Sequence, residues 1–323
     1  MSQERKLPRI SVCLLTYKRA QLLPKTLESL LAQDHTDFEL IINDDRSPDD
    51  TEQVCREFAQ RDSRIRYFRN VQNLRYANNQ NAAILRAKHE HVAIVHDSDL
   101  YKPQLLSCWT QALVDHPSAA LVFNQTEQLN AAREVVGTYK NPYPQLVRGR
   151  DMVDDMLSRP DSPIFGIVMV RRSRVLEAGP FDPRLPTLGD VDMWLRLLLR
   201  YDAAYVAQSL YSIAPREPEH HNVYYNWSIR RESELIYEMN WRRRYASEPD
   251  GAENARRIIA RNAYRERALC LAACLRHARW RAALSGLQYI ASEPPIGARV
   301  LPESVLTWGD VERVLEQLGH AAK

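Results

Sequence analysis

The chain has 323 residues, 45% of them hydrophobic, and a formal net charge of +3, which suits about two globular domains and implies by itself neither a nucleic-acid nor a membrane partner. Its five cysteines include no Cys-x-x-Cys pair, the usage of a reducing compartment rather than a disulfide framework. The first six residues lack the apolar core of a signal peptide and no stretch reaches the ~20 apolar residues of a bilayer span, so a cytoplasmic protein is expected.

Ile10 to Leu15 reads as a buried strand, followed by the turn Thr16-Tyr17-Lys18-Arg19. Leu23, Leu27, Leu30 and Leu31 then recur at helical spacing. A second strand, Phe38 to Ile42, ends in Asn43-Asp44-Asp45-Arg46-Ser47, and a helix follows over roughly Asp50 to Gln60. Ile65 to Phe68 reads as a third strand, Asn78 to His89 as a helix, and Val92 to Val95 as a fourth strand. That strand runs into the tetrad His96-Asp97-Ser98-Asp99. Two carboxylates two residues apart offer hard oxygen ligands to Mg²⁺ or Mn²⁺, which complete their shells with water and phosphate. The other reading is a capped turn, since Asp favours turns. His89, His91 and His96 show no metal spacing and read as structural.

Strands alternating with helices predict an α/β domain with a mainly parallel sheet, whose ligands bind beyond the carboxyl ends of the strands. The turns at 16–17, 44–45 and 97–99 all fall there, and this convergence favours the metal reading over the cap. Farther on, Leu121 to Asn124, Ile167 to Val170 and Ala204 to Ala207 read as strands. Met193 to Leu199 reads as an apolar helix behind Gly189-Asp190-Val191-Asp192, and Trp227 to Tyr245 as a long charged one. Ala268, Leu271, Ala272 and Leu275 mark a further helical block, and Val305 to Leu318 a last helix. The change of character at Glu248 to Gly251 divides the chain into 1–248, with halves 8–125 and 126–248, and a helical region 249–323. Eight arginines and one glutamate lie between Asn254 and Ala282, a solvated basic face or a contact for anionic lipid at the inner face of a membrane.

The stretches 10–19, 37–45 and 97–103, with Val168 to Arg172, Gly179-Pro180-Phe181-Asp182 and Gly189-Asp190 before Trp194-Leu195-Arg196, resemble glycosyltransferase family 2 in order and spacing over about residues 8 to 215. The resemblance implies a GT-A fold: a Rossmann-like, mainly parallel sheet flanked by helices, here with a C-terminal helical extension. It implies an inverting enzyme that moves sugar from a UDP- or dTDP-sugar to a hydroxyl of a glycan or lipid-linked acceptor, as in bacterial surface polysaccharide synthesis. By position, Thr16, Tyr17, Arg19, Asp44, Asp45, Asp97 and Ser98 would bind the nucleotide, with Asp45 on the imide edge of the base. Asp97 and Asp99 would hold Mn²⁺ or Mg²⁺, with His220 and His221 as further candidates and Arg216 near the diphosphate. Asp190 takes the place of the general base, with Asp192 in reserve; on a helix the two point about 200° apart.

Four departures mark this chain. Arg46 stands where the family often has Gly, the Asn-x-Gly loop reads Asn73-Leu74-Arg75, a frequent Arg is Gln80, and the residue before Asp190 is Gly189 rather than Glu. Arg75 offers the diphosphate a cation in place of the one lost at 80. A sugar nucleotidyltransferase is disfavoured because residues 16–19 contain no glycine, and a dehydrogenase because no G-x-G-x-x-G follows the first strand. A non-catalytic nucleotide-sugar or glycan-binding protein would have little use for Asp45, Asp97, Asp99 and Asp190 together.

Overall fold

The computed structural model describes residues 6–159, 162–215, 226–248, 250–292 and 307–317. The first half is a run of βα units: β1 (Ile10–Thr16), α1 (Leu23–Leu31), β2 (Phe38–Asp44), α2 (Thr51–Arg61), β3 (Ile65–Arg69), α3 (Arg75–Arg86) and β4 (His91–His96). These four strands pair in parallel in the order β3-β2-β1-β4. Every residue of β1 and β2 is buried. Ile10, Val12 and Leu14 meet Leu23, Leu27 and Leu30 of α1 on one face, while Cys13 and Leu15 meet α3 residues such as Ala83 and Ile84 on the other. Both faces of this parallel half are covered by helices, so its central strands carry apolar runs such as Val12–Leu15 and Leu40–Ile42.

Helix α3 begins and ends three residues before the span the apolar pattern predicts. The Asp45 carboxylate accepts the N–H groups of Leu74 and Arg75 and so starts the helix early. At the other end the N–H groups of Lys88 and His89 leave the helix for Ser11 Oγ and the Glu39 carboxylate.

The second half comprises β5 (Leu100–Tyr101), α4 (Leu105–Asp115), β6 (Ala119–Leu129), β7 (Val135–Tyr139), β8 (Leu146–Val147), α5 (Gly149–Ser158), β9 (Val168–Arg171), α6 (Arg172–Ala178), α7 (Gly189–Leu198) and β10 (Asp202–Ile213). Here the sheet is mixed: β9 lies antiparallel between β4 and β6, and β6 pairs in parallel with β10. Strand β10 is far longer than its apolar stretch suggests. A register shift between Val206 and Ser209 carries the polar Gln208 past the partner strand, and pairing resumes beyond it.

After α8 (Trp227–Tyr245) come α9 (Ala252–Arg276), α10 (Trp280–Ser292) and α11 (Trp308–Gln317). Helix α9 docks on α8 through Arg230–Glu266 at 2.7 Å and the Arg267–Glu234 pair. The Trp227 indole donates to Ala282 O at 2.8 Å and fills the space opposite Gly286. Helix α11 returns to the first half: Val311 and Leu315 pack with Leu74 and Ala82, and Thr307 and Asp310 cap it reciprocally. Among the described residues no helix is long and apolar enough to cross a membrane.

Candidate active site

The register brings three turns together, two of them acidic. Thr16 pairs with Asp44 across β1 and β2, and Leu15 with His96 across β1 and β4. Tyr17 N–H then donates to Asp97 Oδ2 at 3.2 Å, and Arg19 Nε lies 3.5 Å from Asp97 Oδ1. Asp45 N–H donates to Thr16 O at 2.9 Å. Lys18 N–H reaches Ser47 Oγ at 3.0 Å, and Ser47 is itself held by Asp44. Thr16, Tyr17, Arg19, Asp44, Asp45 and Asp97 therefore stand around one sheet edge, with Ser98 in the turn between Asp97 and Asp99. Tyr17 is 39% exposed, and the Lys18 ammonium lies 5.3 Å from its ring centroid.

The two members of the second-strand pair do different work. Asp44 is fully buried and accepts from Ser47 and from Tyr67 Oη at 2.8 Å, so it braces the turn. Burial, and then the Asp44 carboxylate, push the Tyr67 phenol up, which keeps it a donor. Asp45 accepts from Asn70 Nδ2 and Leu74 N on Oδ1 and from Arg75 N on Oδ2. A carboxylate offers about four lone-pair sites, so one acceptor direction remains on Oδ2.

Arg46 and Arg75, both standing where the family often has glycine, have φ of 60° and 62°. Lys18, in the turn after β1, has φ 57°. A left-handed backbone costs a side-chain-bearing residue about 1–2 kcal/mol. The connections after β1, β2 and β3 therefore each carry a basic residue at a strained position, and all three residues are exposed.

The Asp97 carboxyl is pushed up by burial, against the pull of Arg19. Asp99 is buried; its Oδ1 accepts Ala214 N–H at 2.9 Å, and its Oδ2 lies 3.6 Å from His96 Nδ1. Tyr101 Oη clamps the His96 backbone by accepting its N–H at 2.8 Å and donating to its carbonyl at 2.9 Å. The other side of the imidazole faces Gly166. A Cβ at residue 166 would sit 2.9 Å from His96 Nε2 and 2.9 Å from Asp190 Oδ2. Asp190 and the His96 ring thus pack against the same side of Gly166, where only a glycine leaves room for both, and His96 leads directly into the Asp97–Asp99 turn.

Asp190 lies in the first turn of α7, with Val191 N–H on its Oδ1 at 2.8 Å. The helix is held from below by Glu232 of α8, whose Oε1 accepts the N–H groups of Thr187 and Leu188. Burial, opposed by these bonds, and the nearby Asp190 charge raise the Glu232 carboxyl.

Asp192 corrects the expectation of a reserve base. It is buried on the opposite side of α7, with Oδ2 on Arg196 Nε at 2.8 Å and Oδ1 on Arg243 at 3.0 Å and Asn240 at 3.1 Å. Burial would lift its carboxyl, but Arg196 and Arg243 hold it below the ordinary range. A carboxylate spent on two guanidiniums has no capacity for an acceptor proton. Arg216, His220 and His221 lie outside the described residues.

His96, Gly166 and Glu232 are the site residues that sequence reasoning missed. His96 had one signal, its place directly before the acidic turn; the other two gave none. Among the described residues no group of three or more His, Cys, Asp or Glu could hold a metal ion. The carboxylates of Asp97 and Asp99 are hard oxygen ligands; burial raises the Asp97 carboxyl despite Arg19, and Asp99 Oδ2 lies 3.6 Å from the His96 imidazole. That set fits Mg²⁺ or Mn²⁺ only where phosphate and water supply the remaining ligands.

A parallel half with acidic turns at its strand ends, joined to a mixed half that supplies a carboxylate from a helix start, is the GT-A architecture of nucleotide-sugar transferases. Residues 11–149 match glycosyl transferase family 2. The GalNAc(5)-diNAcBac-PP-undecaprenol beta-1,3-glucosyltransferase of Campylobacter jejuni is 38% identical over 94 residues, 29% of this chain and 30% of that protein. The crystal structure of S. aureus TarS 1-349 with UDP-GlcNAc superposes with a TM-score of 0.63 at 16% identity, covering 89% of this chain and 82% of that one. The mannosyltransferase PcManGT from Pyrobaculum calidifontis, with GDP-Man and Mn²⁺, gives 0.54 at 17% identity over 88% and 81% of the two chains. Alignments with three of the curated relatives span 30% to 66% of those proteins' own lengths. The chain has the GT-A fold, and its match to glycosyl transferase family 2 covers residues 11–149.

Proposed function

We propose that this protein transfers a sugar from a UDP- or dTDP-sugar to a hydroxyl of a glycan or lipid-linked acceptor, with inversion, in the building of a cell-surface polysaccharide. The observation that carries this reading is the placement of Asp190 Oδ2 and His96 Nε2 at 2.9 Å from one point beside Gly166, next to the Asp97–Asp99 turn. The name of the Campylobacter relative, a lipid-diphosphate glycan glucosyltransferase, agrees with the acceptor class. The free cysteines suit the cytoplasm.

In this reading the base of the donor lies on Tyr17 with its imide N–H on the remaining Asp45 acceptor, a match to uracil or thymine. Arg19 and Arg75 face the phosphates. Asp97 and Asp99 would hold Mn²⁺ or Mg²⁺, which acts as a Lewis acid on the leaving diphosphate. Asp190 takes the proton of the acceptor hydroxyl as its oxygen attacks the anomeric carbon from the side opposite the leaving group, and one displacement inverts that carbon. His96 and Gly166 fix where the Asp190 carboxylate stands.

A melting screen with UDP-, dTDP- and GDP-sugars, each with Mn²⁺ or EDTA, tests it. A donor at 100 times its dissociation constant stabilises the fold by about 2.7 kcal/mol. The expected result is a rise in Tm with UDP- or dTDP-sugars that needs Mn²⁺ and that Asp99→Asn removes. No shift with any donor, or an equal shift in EDTA, would sink the reading.

Arg75→Gly is expected to separate stability from binding. Relief of the left-handed backbone, less the greater freedom glycine gives the unfolded chain, should stabilise by about 0.5–1 kcal/mol in urea unfolding. Nucleoside diphosphate affinity should fall in the same variant, measured by calorimetry. A destabilised variant with unchanged affinity contradicts both halves.

A further inference from the structure

We propose that the α9–α10 hairpin docks on an anionic lipid surface. The inference stands on these helices alone and does not depend on the transfer reaction. Helix α10 buries Ala283, Gly286 and Tyr289 on one side. Its Trp280, Leu284 and Leu287, at i, i+4 and i+7, stay 63%, 63% and 50% exposed. The outer side of α9 likewise exposes Tyr264, Leu269 and Leu275. Six large apolar side chains on two adjacent short stretches of helix exceed the scattered exposure of an ordinary surface.

The charge around them has one sign. Glu253 and Glu266 are the acidic residues of the stretch 252–292. Glu253 pairs with Arg256 and Arg257, and Glu266 turns inward to Arg230 of α8. Arg261, Arg265, Arg276 and Arg281 are exposed, and no ion pair forms with any of them among the described residues. The basic run at the end of α8 differs: Arg242, Arg243 and Arg244 pair with Glu238, Asp192 and Asp154. The solvated cations therefore gather on the hairpin that carries the apolar stripe.

An apolar stripe flanked by arginine, with a tryptophan at its head, is the composition of a helix lying in a lipid interface. The leucines enter the acyl boundary, the indole sits at headgroup depth and the guanidiniums meet lipid phosphates. A second copy of this chain would bring the same arginines face to face, so charge complementarity selects the anionic bilayer over self-association.

The test is co-sedimentation of the full chain with vesicles of phosphatidylcholine alone or with 30% phosphatidylglycerol. Binding is expected only to the anionic vesicles and should weaken with salt. Arg276→Glu with Arg281→Glu should lower it by about fivefold per arginine or more. Leu284→Ser with Leu287→Ser should lower it about tenfold or more, with an unchanged circular dichroism melt. Binding that is equal on both vesicles, or equal in all variants, overturns the proposal. So does wild-type self-association that the leucine variant abolishes in the absence of vesicle binding.

Discussion

Asp190→Asn is expected to bind donor as the wild type does and to lose transfer by about 10²–10⁴-fold, the range of a positioned general base. The amide is isosteric and its oxygen still accepts the Val191 N–H that now bonds Oδ1. Glu232 still holds the start of α7 through Thr187 and Leu188, so the helix should not move. What disappears is the capacity to take a proton beside Gly166, where the Asp190 carboxylate and the His96 ring converge. Initial rates with a saturating donor, paired with calorimetry of nucleoside diphosphate binding, separate the two effects. A fall in kcat with an unchanged dissociation constant is the expected pair. Transfer within threefold of wild type would mean that another group accepts the proton, and Asp192, buried against two arginines, is not that group.

What could be read in advance follows from where each signal is local. The parallel strands were legible because a strand covered on both faces carries an apolar run, as in Val12–Leu15 and Leu40–Ile42. Long charged α8 was legible as well, at the same limits, Trp227–Tyr245. The mixed half was not, because the antiparallel placement of β9 between β4 and β6 is a long-range choice that Val168–Arg171 does not encode. The length of β10 was hidden by the shift between Val206 and Ser209, which breaks the alternation on which strand reading depends. Within the site, the acidic turns announce themselves by composition. Whether a given carboxylate is open or spent depends on partners 48 and 51 residues away, as Asn240 and Arg243 do for Asp192. The same holds for Gly166, whose lack of a side chain matters only because His96 and Asp190 close on it from two other elements.

The second large effect belongs to the residue two places along the same helix, and it is of the opposite kind. Asp192→Ala is expected to destabilise the fold by about 3–5 kcal/mol, because removing one partner of a buried ion pair strands the other. Here two guanidiniums are stranded. Arg196, itself nearly buried, also donates to the carbonyls of Ala178, Gly179 and Pro180, so it cannot swing out to water without releasing the loop before α7. Arg243 loses its tie from α8 to α7, keeping Asn240 on its own helix. The effect has a pH signature. The native carboxyl is held below its ordinary 3.8, so its contribution is complete above that value and disappears as pH falls through the depressed native one. The gap in unfolding free energy between wild type and Asp192→Ala should therefore be constant from pH 5 to 7 and shrink below about pH 4. Urea unfolding across that range measures it. A variant as stable as wild type but inactive in transfer would return Asp192 to the chemistry; a large loss of stability, with donor affinity intact below the unfolding transition, places it in the frame that holds α7 and the Asp190 carboxylate beside His96 and Gly166.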